Sequence, residues 1–192
     1  MKKDGETIQP NGKHVFRLLW GMAVCCAFFQ AGAEEAGQAK AQPSVSPIHF
    51  ERELGVLKQE VKDAEGETGR DLLCEVANNA NSTAAMKLAA VSLLGEYRDA
   101  KSVEAILANI SLSTEPSRRP PAVSSLRKIG ELAVPDILKR LETANEETGR
   151  YLVAALIEIK GREKVGPWIT ENQARFTPHQ NWALRAYCGT IF

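Results

Sequence analysis

The chain has 192 residues, 44% of them hydrophobic and 25% charged, which is enough for one domain with a core and too apolar for a disordered chain. Its 24 basic and 24 acidic residues cancel, and this excludes the strong positive field that would recruit nucleic acid or anionic lipid.

The N-terminal part of the chain stands apart from the rest. Lys2, Lys3, Lys13 and Arg17 form a basic lead, Leu18 to Phe29 is an uncharged apolar run, and Ala31-Gly32-Ala33 has the small-x-small pattern of a cleavage site. Together they predict a secretory signal peptide over residues 1–33, cut after Ala33. The apolar run is well short of the ~20 residues that cross a bilayer as a helix. The expectation is therefore an exported protein, periplasmic or secreted, without stable membrane insertion, the alternative being a tether through an uncleaved signal. Cleavage removes four basic and two acidic residues and leaves 20 against 22, a mildly acidic chain. Cys74 and Cys188 remain, each inside an apolar helical pattern, and are expected as two separate buried thiols. Residues 34–47, rich in Ala, Gln, Ser and Pro and without periodicity, read as a flexible leader.

Residues 48–192 are expected to form one all-α domain. Two helices are predicted at about 49–63 and 68–80, then three helical hairpins at about 83–111, 118–142 and 146–172, and a last helix at about 178–190. Val103, Ile106, Leu107 and Ile110 occupy i, i+3, i+4 and i+7, one stripe of a helix. Val134, Ile137, Leu138 and Leu141 repeat that stripe at i+31, and Val165, Trp168 and Ile169 repeat it again at the same interval. A fixed period of this length marks stacked repeats. Each stripe is preceded by another: Met86, Ala89, Ala90 and Leu93; then Ala122, Ser125, Leu126 and Ile129; then Leu152, Ala155, Leu156 and Ile159. Gly95, Gly130 and Gly161 are expected to end these first helices in the left-handed conformation.

The segments "LLGEYRDAKSVEAILANI", "LRKIGELAVPDILKRL" and "LIEIKGREKVGPWI" resemble short HEAT repeats of the phycobilisome-lyase type. Leu126, Ile129, Gly130, Ala133, Val134, Pro135, Ile137 and Leu138 match that pattern almost throughout, while Glu96, Glu131 and Arg162 stand where the family usually has Asp. The resemblance covers about residues 83–172. It implies an α-solenoid of three to four hairpins with a C-terminal capping helix, in which the second helix of each hairpin lines a concave side. It also implies a scaffold or adaptor that binds another protein. Some relatives attach or remove bilin pigments, so the alternative is an accessory subunit or lyase-like enzyme acting on a chromophore or small ligand.

No constellation for catalysis, cofactor or metal stands out, and a non-enzyme is expected. His49 and His179 have no second metal-ligand residue at a useful spacing, and Ser124 and Ser125 lack a nucleophile-elbow glycine pattern. Glu146 and Glu147 follow Asn145 and read as first-turn acids behind an N-cap. Arg118-Arg119 reads as two solvated charges in a linker. Trp168, in register with Ile106 and Ile137, reads as core. Projecting the repeat period onto outward positions gives one row of Ala108, Lys139 and Thr170 and another of Asn109, Arg140 and Glu171. Asn109, Lys139, Arg140, Thr170 and Glu171 are the candidate partner-binding residues, a mixed polar surface suited to a protein or peptide. The apolar tail "YCGTIF" allows end-to-end self-association. "ETGR" occurs at residues 67–70 and 147–150, out of phase with the repeat, and reads as a helix start without further meaning.

Overall fold

Helices form where the stripes predict them. The structure, a computed structural model, describes residues 44–64, 66–114 and 119–191. The signal peptide, its cleavage at Ala33, the leader up to residue 43 and Arg118 lie outside the described residues. The helices are α1 (Pro47–Ala64), α2 (Gly66–Asn78), α3 (Ala84–Tyr97), α4 (Val103–Ala108), α5 (Pro121–Ile129), α6 (Val134–Leu141), α7 (Glu146–Lys160), α8 (Arg162–Asn172) and α9 (Pro178–Ile191). Short 3-10 turns at Ala100–Ser102 and Gly130–Ala133 lead into α4 and α6, and a third at Gln173–Arg175 follows α8. Among the described residues the fold is all-α, the β-type contact being an isolated parallel bridge between Ser44 and Ser113. No described helix is long and apolar enough to cross a membrane.

The principal helix pairings join near neighbours in sequence. α3 packs on α1 and α5, α5 on α7, and α7 on α9; α4 contacts α2 and α6. Each of α2, α4, α6 and α8 also lies against the helix before it or the helix after it. The repeated stripe faces inward: Val103, Ile106, Ile137, Leu141 and Val165 are buried, and all join one apolar core. Burial of each such side chain contributes roughly 1.5–3 kcal/mol before conformational entropy is subtracted. α3 is buried on almost every side. Leu88, Ala89, Ala90, Val91, Leu94 and Gly95 are all inaccessible, whereas Met86 and Leu93 of the expected stripe are only partly covered. It has neighbours on several flanks, so one stripe understates its buried face. Trp168 is half-buried rather than core, its ring 5.4 Å from that of Phe176 and the Lys160 ammonium 4.4 Å above it.

Local chemistry sets the helix ends. The Thr83 hydroxyl accepts from Met86 N and the Asn145 side chain from Thr148 N, each satisfying a first-turn donor. Thr177 and Gln180 form a reciprocal capping box at the start of α9: Gln180 N donates to Thr177 Oγ1, and Thr177 N donates to Gln180 Oε1. Gly130 and Gly161 end α5 and α7 with φ of +74° and +86°, but not in the left-handed helical conformation expected of them. Their ψ values of −140° and 141° are extended, so the chain leaves each helix through a region that only glycine enters freely.

Gly95 does not end a helix. α3 continues to Tyr97, and the left-handed residue is Arg98, with φ of 52°. The reason for glycine at position 95 is close approach. A Cβ there would lie 2.7 Å from the Ser125 Cα, and the Ser125 hydroxyl donates across the same crossing to Val91 O. The two ETGR copies share a related device. A Cβ at Gly69 would lie 2.7 Å from the Tyr97 hydroxyl, and one at Gly149 would lie 2.7 Å from the Tyr187 ring. Both copies are therefore seats for a tyrosine from another helix as well as helix starts. The arginines that follow diverge, Arg70 being buried and Arg150 exposed.

The described end of the leader, residues 44–47, is held in place rather than flexible. Val45 is buried against Ala85 and Leu88, and its N–H donates to Ser113 O at 3.0 Å. An apolar side chain and a backbone donor, both satisfied, hold the chain down just before α1 begins.

Candidate partner-binding surface

The outward faces of α4, α6 and α8 carry the residues expected to meet a partner, and they do not share one fate. Lys139 and Arg140 are exposed on α6, and Thr170 and Glu171 are exposed on α8. Thr170 turns its hydroxyl back to Gly166 O. Asn109, in contrast, is buried. Its amide nitrogen donates to Ala77 O at 3.0 Å and to Ala105 O at 2.9 Å, tying the end of α4 to the end of α2. α4 stops at Ala108, so a helical projection carried one position further assigns Asn109 to the wrong face. Asn109-Ile110-Ser111 and Asn81-Ser82-Thr83 both have the N-x-S/T form of a glycosylation acceptor; the Asn109 amide nitrogen is held in two buried hydrogen bonds, while Asn81 is exposed.

Lys139 and Arg140 border an open depression of about 230 Å³ with Glu104, Asp136, Glu142 and Thr143. Thr170 and Glu171 are not on its walls. Among the described residues no ion pair holds Lys139 or Arg140. Two cations and three carboxylates around one shallow hollow form a mosaic of both signs, open to solvent. One wall residue is tied to α9: Gln180, buried, donates to Leu138 O at 2.8 Å and to Glu142 Oε1 at 3.2 Å, which anchors α9 to α6 and its end. The sequence does carry the pattern for this anchor, since T-x-x-Q at 177–180 announces a capping box, but it gives no sign that Gln180 also crosses to α6.

A second charged cluster ties α2 to the turn after α3. Buried Arg70 donates to Asp71 Oδ1 at 2.7 Å and to Asp99 Oδ2 at 3.0 Å. The Asp71 hydrogen bond first, and then that of Asp99, push the Arg70 guanidinium further into its charged form. Burial would raise the Asp99 carboxyl, but hydrogen bonds from Ser102 and Arg70 outweigh it and hold Asp99 below its ordinary value of 3.8. A lowered folded-state pKa means that the contribution to stability is full above the unfolded value and is lost as pH falls through the folded one. Acid titration of stability is thus expected to show a loss below about pH 4, and Asp99→Asn should flatten that limb while lowering stability at neutral pH. An unchanged acid limb in the variant would remove Asp99 from the account.

Cys74 and Cys188 are both free thiols, Cys188 buried as expected but Cys74 only partly so; burial pushes each above its ordinary pKa, which keeps the reactive thiolate scarce. On α9, Trp182 is exposed beside His179 and Tyr187, with ring centroids 5.7 and 5.8 Å away. Among the described residues no group of three or more His, Cys, Asp and Glu side chains could hold a metal ion. No family model, curated protein or solved structure matches the chain.

Proposed function

We propose that the chain is an exported, non-enzymatic scaffold or adaptor that binds another protein, built as an α-solenoid of HEAT-like hairpins. Two observations support the architectural part. The 31-residue recurrence of Val103, Val134 and Val165 is carried by buried side chains, and α1, α3, α5, α7 and α9 pack one on the next. Export is supported by the basic lead, the short apolar run and the Ala31-Gly32-Ala33 site.

The hollow on α6 carries the binding reading. Its size, openness and mixed charge suit the side chains of a protein surface better than a small molecule, which needs enclosure and apolar walls. Lys139 and Arg140 are the central contacts, with Thr170 and Glu171 the candidates on α8. Asn109 has no part in it, because its side chain is spent inside the fold.

The expected result of an affinity capture from the source organism's exported fraction is a partner retained by the full chain and lost with Lys139→Glu/Arg140→Glu. Both substitutions sit on exposed positions, so melting temperature should move little. Equal recovery with both proteins would place the partner elsewhere.

A further inference from the structure

Arg119, in the linker before α5, and Arg127, on α5, reach the same carboxylate. Arg119 Nη1 donates to Glu158 Oε1, and Arg127 Nη1 lies 3.4 Å from Glu158 Oε2. Glu158 belongs to α7, so two guanidinium groups from one part of the chain share one acid from another. Each uses a single nitrogen in this, and their remaining donors make no hydrogen bond among the described residues. Arg119 and Glu158 line an open hollow of about 350 Å³ with Ile157, Gly161 and Arg162, and Arg127 lies outside its walls. Both Arg119 and Arg127 are half exposed or more, while Glu158 is largely covered.

We infer that this arginine cluster binds an acidic segment of a polypeptide, and that Glu158 fills the place of its first carboxylate in the unbound protein. A guanidinium presents a planar fork of donors matched to a carboxylate, and here Glu158 already shows the cluster accepting that group. Two guanidinium groups here share one carboxylate, so each keeps donors that Glu158 does not use. A single small anion would gain little, because an exposed ion pair contributes only about 0–1 kcal/mol and is screened by salt. A peptide carrying several carboxylates meets Arg119 and Arg127 together, each contact raising the effective concentration for the next. The inference rests on reading the chain as a binding module, but it shares no residue with the Lys139 and Arg140 hollow.

The test is fluorescence anisotropy of a labelled octaglutamate peptide titrated with the full chain at low salt, with melting curves recorded for every variant. Wild type is expected to bind, and Arg119→Ala/Arg127→Ala to bind about tenfold more weakly with an unchanged melting curve. Glu158→Gln should bind about threefold more tightly, since it removes the internal competitor while keeping the shape. Lys139→Glu/Arg140→Glu should bind as wild type does. Absence of peptide binding, or a Glu158→Gln variant that binds no better, overturns the inference. Inorganic phosphate competing at the peptide's own concentration would make this a small-anion site and overturn it as well. Loss of peptide binding in the Lys139→Glu/Arg140→Glu variant would overturn the placement, whereas failure of that variant to lose its captured partner bears only on the α6 hollow.

Discussion

Replacing Gly95 by valine is expected to cost about 3 kcal/mol, the upper part of the range for forcing extra atoms into a packed core. The atoms a new Cβ would meet are the Cα, Cβ and Oγ of Ser125, all within 2.9 Å. One of these is backbone, so no rotamer change relieves the overlap. α3 and α5 would have to separate, and with them the Ser125 to Val91 hydrogen bond that spans their crossing. Gly55→Ala is the control. Gly55 lies in the middle of α1 with nothing within 4 Å of a Cβ. There the substitution should stabilise by roughly 0.5–1 kcal/mol, because alanine loses less backbone entropy in a helix. Denaturant melts of both variants give the comparison, and a Gly95→Val protein as stable as wild type would mean that α3 and α5 do not cross as closely as described.

Asn109→Leu is expected to cost about 2–3 kcal/mol, with two buried carbonyls, Ala77 O and Ala105 O, left without the donor that now satisfies both. Leucine keeps the forked outline of asparagine, so the loss reports the hydrogen bonds more than the packing. The outward position that the repeat period assigns to this residue gives the opposite expectation, a change within about half a kcal/mol. Chemical denaturation therefore separates the two directly. A neutral result would return Asn109 to the surface and to the partner contacts.

What the sequence reveals and what it hides divide along a physical line. Val103, Ile106, Val134, Ile137 and Val165 are legible because burial on a helix imposes a period, and a period survives without any knowledge of the neighbours. Gly130 and Gly161 are legible as stops, since a cap with positive φ is a local demand. Gly95 looks the same in sequence as they do, yet its cause is Ser125 on α5, and nothing local reports a crossing. Asn109 misleads for a related reason, because α4 is too short to carry the helical phase past Ala108. Lys139 and Arg140 are exposed as the projection has them, being inside α6 where the phase holds. The arginine cluster at Glu158 is hidden by sequence distance: Arg119 read alone is a solvated linker charge, and only folding brings Arg127 and the α7–α8 turn beside it.

The nearness in sequence of the packed helices also sets the order of events as the chain is made. α3 meets α1, α5 meets α3 and α7 meets α5, so each helix can dock on one already synthesised, and loops to be closed stay short. Among the principal pairings the longest step is from α6 to α9. The Val45 to Ser113 hydrogen bond obeys a different clock, since its donor precedes α1 and its acceptor follows α4. The segment before α1 must therefore wait, unpaired, until α4 has been laid down.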